Sequence, residues 1–100
     1  MDLSSRDYIF PDSNSRYLTD EDLSGYSSDQ LELAKNEIYA RHGRKFVTQR
    51  IADYFNSKSW YKGTVEPETF DADTSVFNEY EVANIQKIAD TEGKLRSEGK

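Results

Sequence analysis

The residues best suited to chemistry are concentrated in one run, from Asn36 to Gly43. This run holds an amide, a carboxylate, a phenol, a guanidinium and the only imidazole of the chain. His42 could transfer a proton or bind a metal, and Arg41 could hold an anion. Because the run ends at a glycine, a residue that often follows a helix end, these side chains are predicted to lie at the end of a helix.

His42 also has a structural interpretation. With one histidine and no cysteine in the chain, a transition-metal site would need carboxylates for all its other ligands. On a helix, His42 would share a side with Leu31, Ala34 and Ile38. We therefore expect a core imidazole, hydrogen-bonded to a backbone carbonyl or to a tyrosine, and no metal or other cofactor.

Arg41 is likewise expected to be structural, although it could serve as an anion clamp. Glu37 lies four residues before it, in the favourable order for a helical ion pair. A buried arginine needs a partner, and Asp12 or Asp20 could supply one. The prediction is that Arg41 is paired with Glu37 or ties the helix to the segment around Pro11. Together with Asn36, Tyr39, His42 and Gly43, these residues form the structural motif.

Two groups of residues after this helix could form a binding surface. Arg44, Lys45 and Arg50, called the basic corner below, would attract an anionic polymer or a protein partner. The alternative is a solvated face that offsets the helix dipole. An exposed Trp60 and Tyr61 would suit a sugar ring or a peptide. Otherwise these two rings close a core that is poor in aliphatic residues.

No residue pattern indicates catalysis. The chain has no Gly-x-Ser-x-Gly elbow and no glycine-rich phosphate loop. Residues 71–75 carry oxygen ligands at calcium-loop spacing, but Val76 and Val82 replace the glycine and the glutamate that such a loop needs. We therefore predict that the protein is not an enzyme, with a hydrolase using His42 as the remote alternative.

Composition narrows the class of protein. One hundred residues suit one domain, and 13% aromatic residues compensate for a hydrophobic content of only 35%. The net charge of −6 argues against nucleic-acid binding. No stretch approaches the about 20 apolar residues of a membrane span, and no signal peptide is visible at the start. We expect a monomer with no segment inserted in a membrane.

The positioning elements are predicted to be four helices, two of them short, with an aromatic-rich core and no strand. Capping-box patterns begin at Thr19, Ser27 and Asn78, and Thr48 is a fourth N-cap candidate. The central helix spans about residues 28–42 and is apolar on both sides, so we expect neighbours on both sides.

The remaining segments are predicted from their composition. Residues 1–8 form a flexible leader, residues 9–96 the helical domain and residues 97–100 a frayed tail. The segment that holds Pro67 and the acids Glu66, Glu68, Asp71 and Asp73 forms a loop, which Phe70 pins to the core. The last helix carries an apolar stripe from Val82 to Ala89, and the chain after Gly93 is expected to fray.

The run from Asn36 to Gly43, with its pentapeptide Tyr-Ala-Arg-His-Gly, resembles the bacterial YARHG domain family. The similarity spans roughly residues 11–90, including Trp60-Tyr61 and Asn84. The resemblance implies an extracellular or cell-surface domain of exported proteins and lipoproteins, with no established activity and no catalytic residues to transfer. It favours a non-catalytic module that binds a cell-wall polymer or a protein partner. The alternative is a structural or regulatory spacer with no ligand of its own.

Overall fold

A computed structural model describes residues 8–99, and these form an all-α domain. The described residues contain five helices and no β-strand. The helices are α1 (Asp20–Leu23), α2 (Ser28–Ala40), α3 (Gln49–Asn56), α4 (Pro67–Ala72) and α5 (Glu79–Ser97). None of these helices is both long enough and apolar enough to cross a membrane. The predicted all-α class is confirmed.

Local hydrogen bonds explain where the helices begin. Thr19, Ser27 and Asn78 each accept a bond from the backbone three residues later, and the side chain at that third position returns the bond. All three predicted capping boxes are thus confirmed. Thr48 precedes α3 as predicted, but its side chain makes no capping hydrogen bond.

Helix α2 lies between two hydrophobic clusters, as its two apolar sides predict. The first cluster joins Leu31, Ala34 and Ile38 of α2 to residues of the N-terminal segment, α1 and α5. The second cluster joins Ala40 to α3 residues Ile51 and Phe55 and is bordered by aromatic rings. The helix that carries most of the motif residues is therefore packed on both sides, against the first and the second cluster.

The central helix is shorter than predicted. It ends at Ala40, and Arg41 is its C-cap. His42 and Gly43 then bond back to the carbonyls three residues earlier, which closes a tight turn. Gly43 has φ +90°, a conformation that favours glycine. His42 therefore lies beyond the end of the helix, so the helical spacing that predicted a core position for it does not apply.

The predicted loop before the last helix contains a helix of its own. Pro67 occupies the first turn of α4, where its fixed φ suits a helix start. Phe70 is buried and lies 5.6 Å from the ring of Phe77. The four-helix prediction missed α4 because the acids around Pro67 and Phe70 resemble a solvated loop.

The buried face of α5 differs from the predicted apolar stripe. Val82 is exposed, whereas Glu81, Asn84 and Glu92 are buried beside Ile88. These polar side chains are buried because each has hydrogen-bond partners in the described residues. The predicted stripe is therefore right for Ile85 and Ile88, which pack in the first cluster, and wrong for Val82; it also missed the three buried polar residues.

Contacts extend into the segments predicted to be a leader and a frayed tail. Tyr8 stacks on Trp60 with ring centroids 4.7 Å apart; residues 1–7 of the predicted leader lie outside the described range. Helix α5 continues through Gly93 to Ser97. Leu95 packs against the first cluster and Arg96 pairs with Glu92. The flexibility of the leader and the fraying of the tail stay predictions.

Candidate functional site

Glu37 fixes the N-terminal segment from a buried position on α2. Its side chain is 0% exposed and accepts hydrogen bonds from Ile9 N at 2.7 Å and Phe10 N at 3.1 Å. Burial raises the pKa of this carboxyl, while the two N–H donors act in the opposite direction. Glu37 is therefore committed to the backbone of residues 9 and 10.

Arg41 holds the same segment but has no ion pair among residues 8–99. Its Nη1 donates to Pro11 O at 3.0 Å, and its guanidinium carbon lies 4.5 Å from the ring centroid of Tyr8. The predicted acids are engaged elsewhere, since Asp12 pairs with Arg16 and Asp20 with Lys87. The predicted tie to the segment around Pro11 is present, but the predicted carboxylate partner is wrong.

His42 joins the end of α2 to the start of α5. Its Nε2 lies 2.7 Å from Glu81 Oε2, and its ring meets the edge of Phe77. The His42 side chain is 28% exposed and that of Glu81 only 5%. The predicted backbone or tyrosine partner is therefore wrong, because the turn after Ala40 directs the imidazole toward the capping-box carboxylate.

Arg41 and His42 open into one cleft of about 470 Å³ on the surface. We call it the motif cleft. Its lining residues are Tyr8, Asn14, Arg41, His42, Trp60, Val76, Asn78 and Glu81. The cleft thus combines a guanidinium, an imidazole–carboxylate pair, two side-chain amides and two aromatic rings.

The bases of the basic corner face acids in the folded chain. Arg44 donates twice to Asp71 at 3.0 Å, and Lys45 Nζ lies 3.2 Å from Glu66. Arg50 pairs with Glu32. The Arg44 guanidinium lowers the pKa of Asp71 by hydrogen bonding to its carboxylate. The corner is therefore less cationic in the structure than in the sequence.

Trp60 and Tyr61 have different surroundings, since only Trp60 lines the motif cleft. Trp60 lines the motif cleft against Tyr8. Tyr61 donates its hydroxyl to Arg44 O at 2.7 Å and packs on the second cluster. Both rings pack against the second cluster, and Trp60 also lines the motif cleft, which Tyr61 does not.

Asn36 and Tyr39 line a second depression of about 410 Å³, together with Arg44 and Asp71. Asn36 donates to the carbonyl of Glu32 at 2.8 Å. Burial raises the pKa of the Tyr39 phenol. The motif residues thus divide among the core, this depression and the motif cleft.

Asn84 is a structural residue whose role sequence analysis missed. It is 1% exposed, accepts a bond from Leu18 N and donates to the carbonyls of Ser13 and Arg16. It was noted only as part of a resemblance. The sequence did hold a clue: Asn84 lies four residues before Ile88, on the same side of the helix. A buried asparagine there must have hydrogen-bond partners.

The motif cleft offers groups suited to hydrogen bonding, charge pairing and ring contact. Within residues 8–99 no three histidine or acidic side chains are grouped to hold a metal ion. Across the same range, no serine or threonine hydroxyl is hydrogen-bonded to the His42 imidazole, whose partner is Glu81. What the motif cleft presents is one cation, hydrogen-bonding groups and ring surfaces.

Comparison with known proteins places the chain in a family. No curated protein and no solved structure matches it. The YARHG domain matches residues 6–93, which is most of the chain and includes every residue assigned above to the motif and the cleft. The chain belongs to the YARHG domain family.

Proposed function

We propose that this domain is a non-catalytic binding module of an exported or membrane-anchored bacterial protein. It acts at the cell surface, where it binds a cell-wall polymer or a protein partner through the motif cleft. The observation that carries the proposal is that Arg41 and His42 face a cleft beside Trp60. Clefts of this size with convergent polar groups are the usual form of small-ligand sites.

The motif cleft is a better candidate than the basic corner. Arg44, Lys45 and Arg50 each face a carboxylate, which reduces their attraction for an external anion. Arg41 has no such partner in residues 8–99 and is held beside the two cleft rings. Of the surface predicted from the sequence, the proposal retains Trp60. Arg41 and His42 take the place of the basic corner as the polar part of the binding site.

A spacer domain without a ligand is the second candidate, and the extensive ion pairing of the surface favours it. Five of the pairs in residues 8–99 join bases and acids more than 50 positions apart or in different helices. Such pairs consolidate a fold without providing a binding site. The geometry gives less support to a hydrolase, because Glu81 holds His42 and also accepts the Asn78 N–H.

Co-sedimentation with purified bacterial cell walls tests the proposal. Val76 lines the cleft and is 51% exposed, so Val76→Trp would block the cleft with little effect on the core. Val47 is 82% exposed and does not line the cleft, so Val47→Trp is the matched control. We expect wall binding by the wild-type protein and Val47→Trp, and its loss in Val76→Trp.

Charge reversal at the basic corner completes the experiment. An Arg44→Glu, Lys45→Glu double variant with an unchanged melting temperature is expected to retain most wall binding. If the double variant loses binding while Val76→Trp keeps it, the corner is the binding surface and the cleft is not. If neither the wild-type protein nor any variant sediments at low salt, wall binding is ruled out, which leaves a protein partner or the spacer function.

A further inference from the structure

We propose that the motif cleft recognises a carboxylate group of its ligand and that Arg41 is the residue that binds it. This inference rests on the proposed binding function, because it assigns a ligand chemistry to the same cleft. Three features support it: the lack of an ion pair at Arg41 in residues 8–99, the contacts that hold its guanidinium, and the charge of the surrounding cleft.

Arg41 differs from the other arginines of residues 8–99 because it forms no ion pair. Arg16, Arg44, Arg50 and Arg96 each pair with at least one carboxylate. The direct partners of Arg41 in the same range are neutral: the Pro11 carbonyl, the Ser13 hydroxyl and the Tyr8 ring. The buried Glu37 carboxyl acts on Arg41 only through space and is hydrogen-bonded to Ile9 N and Phe10 N, so no carboxylate occupies the guanidinium donors that a ligand anion would use.

The guanidinium of Arg41 is held in place before any ligand arrives. Nη1 is anchored to Pro11 O, and the Tyr8 ring contacts both the guanidinium and the ring of Trp60. Pro11 and Tyr8 are themselves fixed through the backbone bonds to Glu37. A planar guanidinium whose orientation is fixed in advance favours a planar, two-oxygen acceptor, which is the shape of a carboxylate.

The charge of the cleft favours a carboxylate over a phosphate. Glu81 lines the same cleft, and the whole chain carries a net charge of −6. A doubly charged phosphate would meet one guanidinium against this negative background. A singly charged carboxylate requires less compensation. The ring surfaces of Tyr8 and Trp60 would contact the uncharged part of such a ligand.

Fluorescence of Trp60 reports on the cleft directly, because it is the only tryptophan of the chain. Two acids separate the two sources of a carboxylate. N-acetylmuramic acid supplies a sugar acid, with N-acetylglucosamine as its uncharged counterpart. N-acetyl-alanyl-alanine supplies a peptide carboxylate, with its C-terminal amide as counterpart. We expect at least one acid to bind about tenfold more tightly than its neutral counterpart.

Variants at the cleft isolate the effect of charge. Val76→Glu and Val76→Gln have similar size, so their difference reports the added negative charge. We expect Val76→Glu to bind the acid about fivefold more weakly than Val76→Gln, and Val47→Glu to bind it as the wild-type protein does. Arg41→Gln is expected to abolish the preference for the acid, and the Val76 pair keeps the test valid if that variant unfolds.

The outcomes distinguish the ligand class from the proposed function. Equal binding of acids and neutral counterparts, or equal binding by Val76→Glu and Val76→Gln, overturns the carboxylate assignment. Stronger competition by inorganic phosphate than by either acid overturns it as well. If neither acid shifts Trp60 fluorescence while Val76→Trp still abolishes wall binding, the carboxylate assignment fails and the binding function stands.

Discussion

Glu37 shows at the residue scale how one motif side chain supports the others. Its carboxylate is buried with no cation in hydrogen-bond contact and holds two backbone N–H groups of the N-terminal segment. That segment carries Tyr8 to the cleft and Pro11 to Arg41. Glu37 therefore helps to set the position of Arg41 and is not among the residues that line the cleft.

The raised pKa of Glu37 predicts a specific dependence of stability on pH. A carboxyl whose pKa is higher in the folded than in the unfolded protein stabilises the fold most when protonated. That contribution is complete below the ordinary value of 4.5 and is lost as the pH rises through the raised pKa. The free energy of unfolding of the wild-type protein, relative to Glu37→Gln, should therefore increase as the pH falls from 7 toward 4.5.

Asp71→Asn is the control for this measurement, because Arg44 lowers the pKa of Asp71. The stabilisation from Asp71 is complete above its ordinary value of 3.8 and is lost as the pH falls through the lowered pKa. In denaturant unfolding the difference between wild type and Glu37→Gln should therefore change as the pH rises above 4.5, whereas the difference between wild type and Asp71→Asn should change, with opposite sign, only as the pH falls below 3.8. A flat or inverted slope for Glu37→Gln contradicts the assignment of Glu37 as a buried, desolvated carboxyl.

At Gly43 the backbone conformation itself requires a glycine. A Cβ at this position would lie 2.7 Å from Thr64 Oγ1, in addition to the strain at φ +90°. Gly25 has φ +85° but open space around it. We expect Gly43→Ala to lower the free energy of unfolding by about 2–3 kcal/mol, and Gly25→Ala by about 1 kcal/mol.

Thermal or urea unfolding of both glycine variants separates strain from crowding. The excess loss in Gly43→Ala measures the contact with the loop around Thr64. Equal losses in the two variants would mean that this loop is not packed against the end of α2 as the structure has it.

At the scale of elements, the imidazole–carboxylate pair is the polar link between the end of α2 and the start of α5. Glu81 completes the capping box of α5 through Oε1 and contacts His42 through Oε2. Its burial makes this contact stronger than a surface ion pair. Asn84, one turn later on α5, links the same helix to the N-terminal segment.

A double-mutant cycle measures this link. We expect His42→Ala to lower the free energy of unfolding by about 1–2 kcal/mol. Glu81→Gln is the second substitution of the cycle, because it removes the charge and keeps an acceptor for the Asn78 N–H. The coupling energy between the two substitutions at pH 7 should be about 1 kcal/mol. A coupling near zero contradicts a structural contact between the two side chains.

Local patterns predicted the elements that depend on neighbouring residues. The capping boxes at Thr19, Ser27 and Asn78 require bonds over three positions, so the sequence displays them completely. The two apolar sides of α2 likewise predicted its central place. The partners of Arg41 and His42 were mispredicted because they depend on tertiary contacts to Pro11 and Glu81, which lie 30 and 39 positions away.

The motif cleft could not be predicted from the sequence, because its lining residues come together only in the fold. Its lining comes from the N-terminal segment, the end of α2, Trp60 and the start of α5. The sequence indicated each chemical type, but nothing in the spacing of Tyr8, Trp60 and Glu81 shows that they meet. The same applies to the basic corner, whose acids Glu32, Glu66 and Asp71 come from three different segments.

At the scale of the whole molecule, the net charge of −6 is combined with pairing of most arginines. The exposed pairs contribute little to stability individually, but they leave Arg41 as a distinct site for an anion. The proposed ligand is therefore expected to contact the motif cleft and to leave the basic corner unaffected.

Backbone and indole NMR spectra of the labelled domain, titrated with soluble fragments of bacterial cell wall, test that statement most directly. The account predicts that shift changes concentrate at the Trp60 indole, Val76 and Asn78, and are absent from Lys45 and Arg50. Changes confined to the basic corner would contradict it, as would a spectrum that no wall fragment alters while walls still sediment the protein.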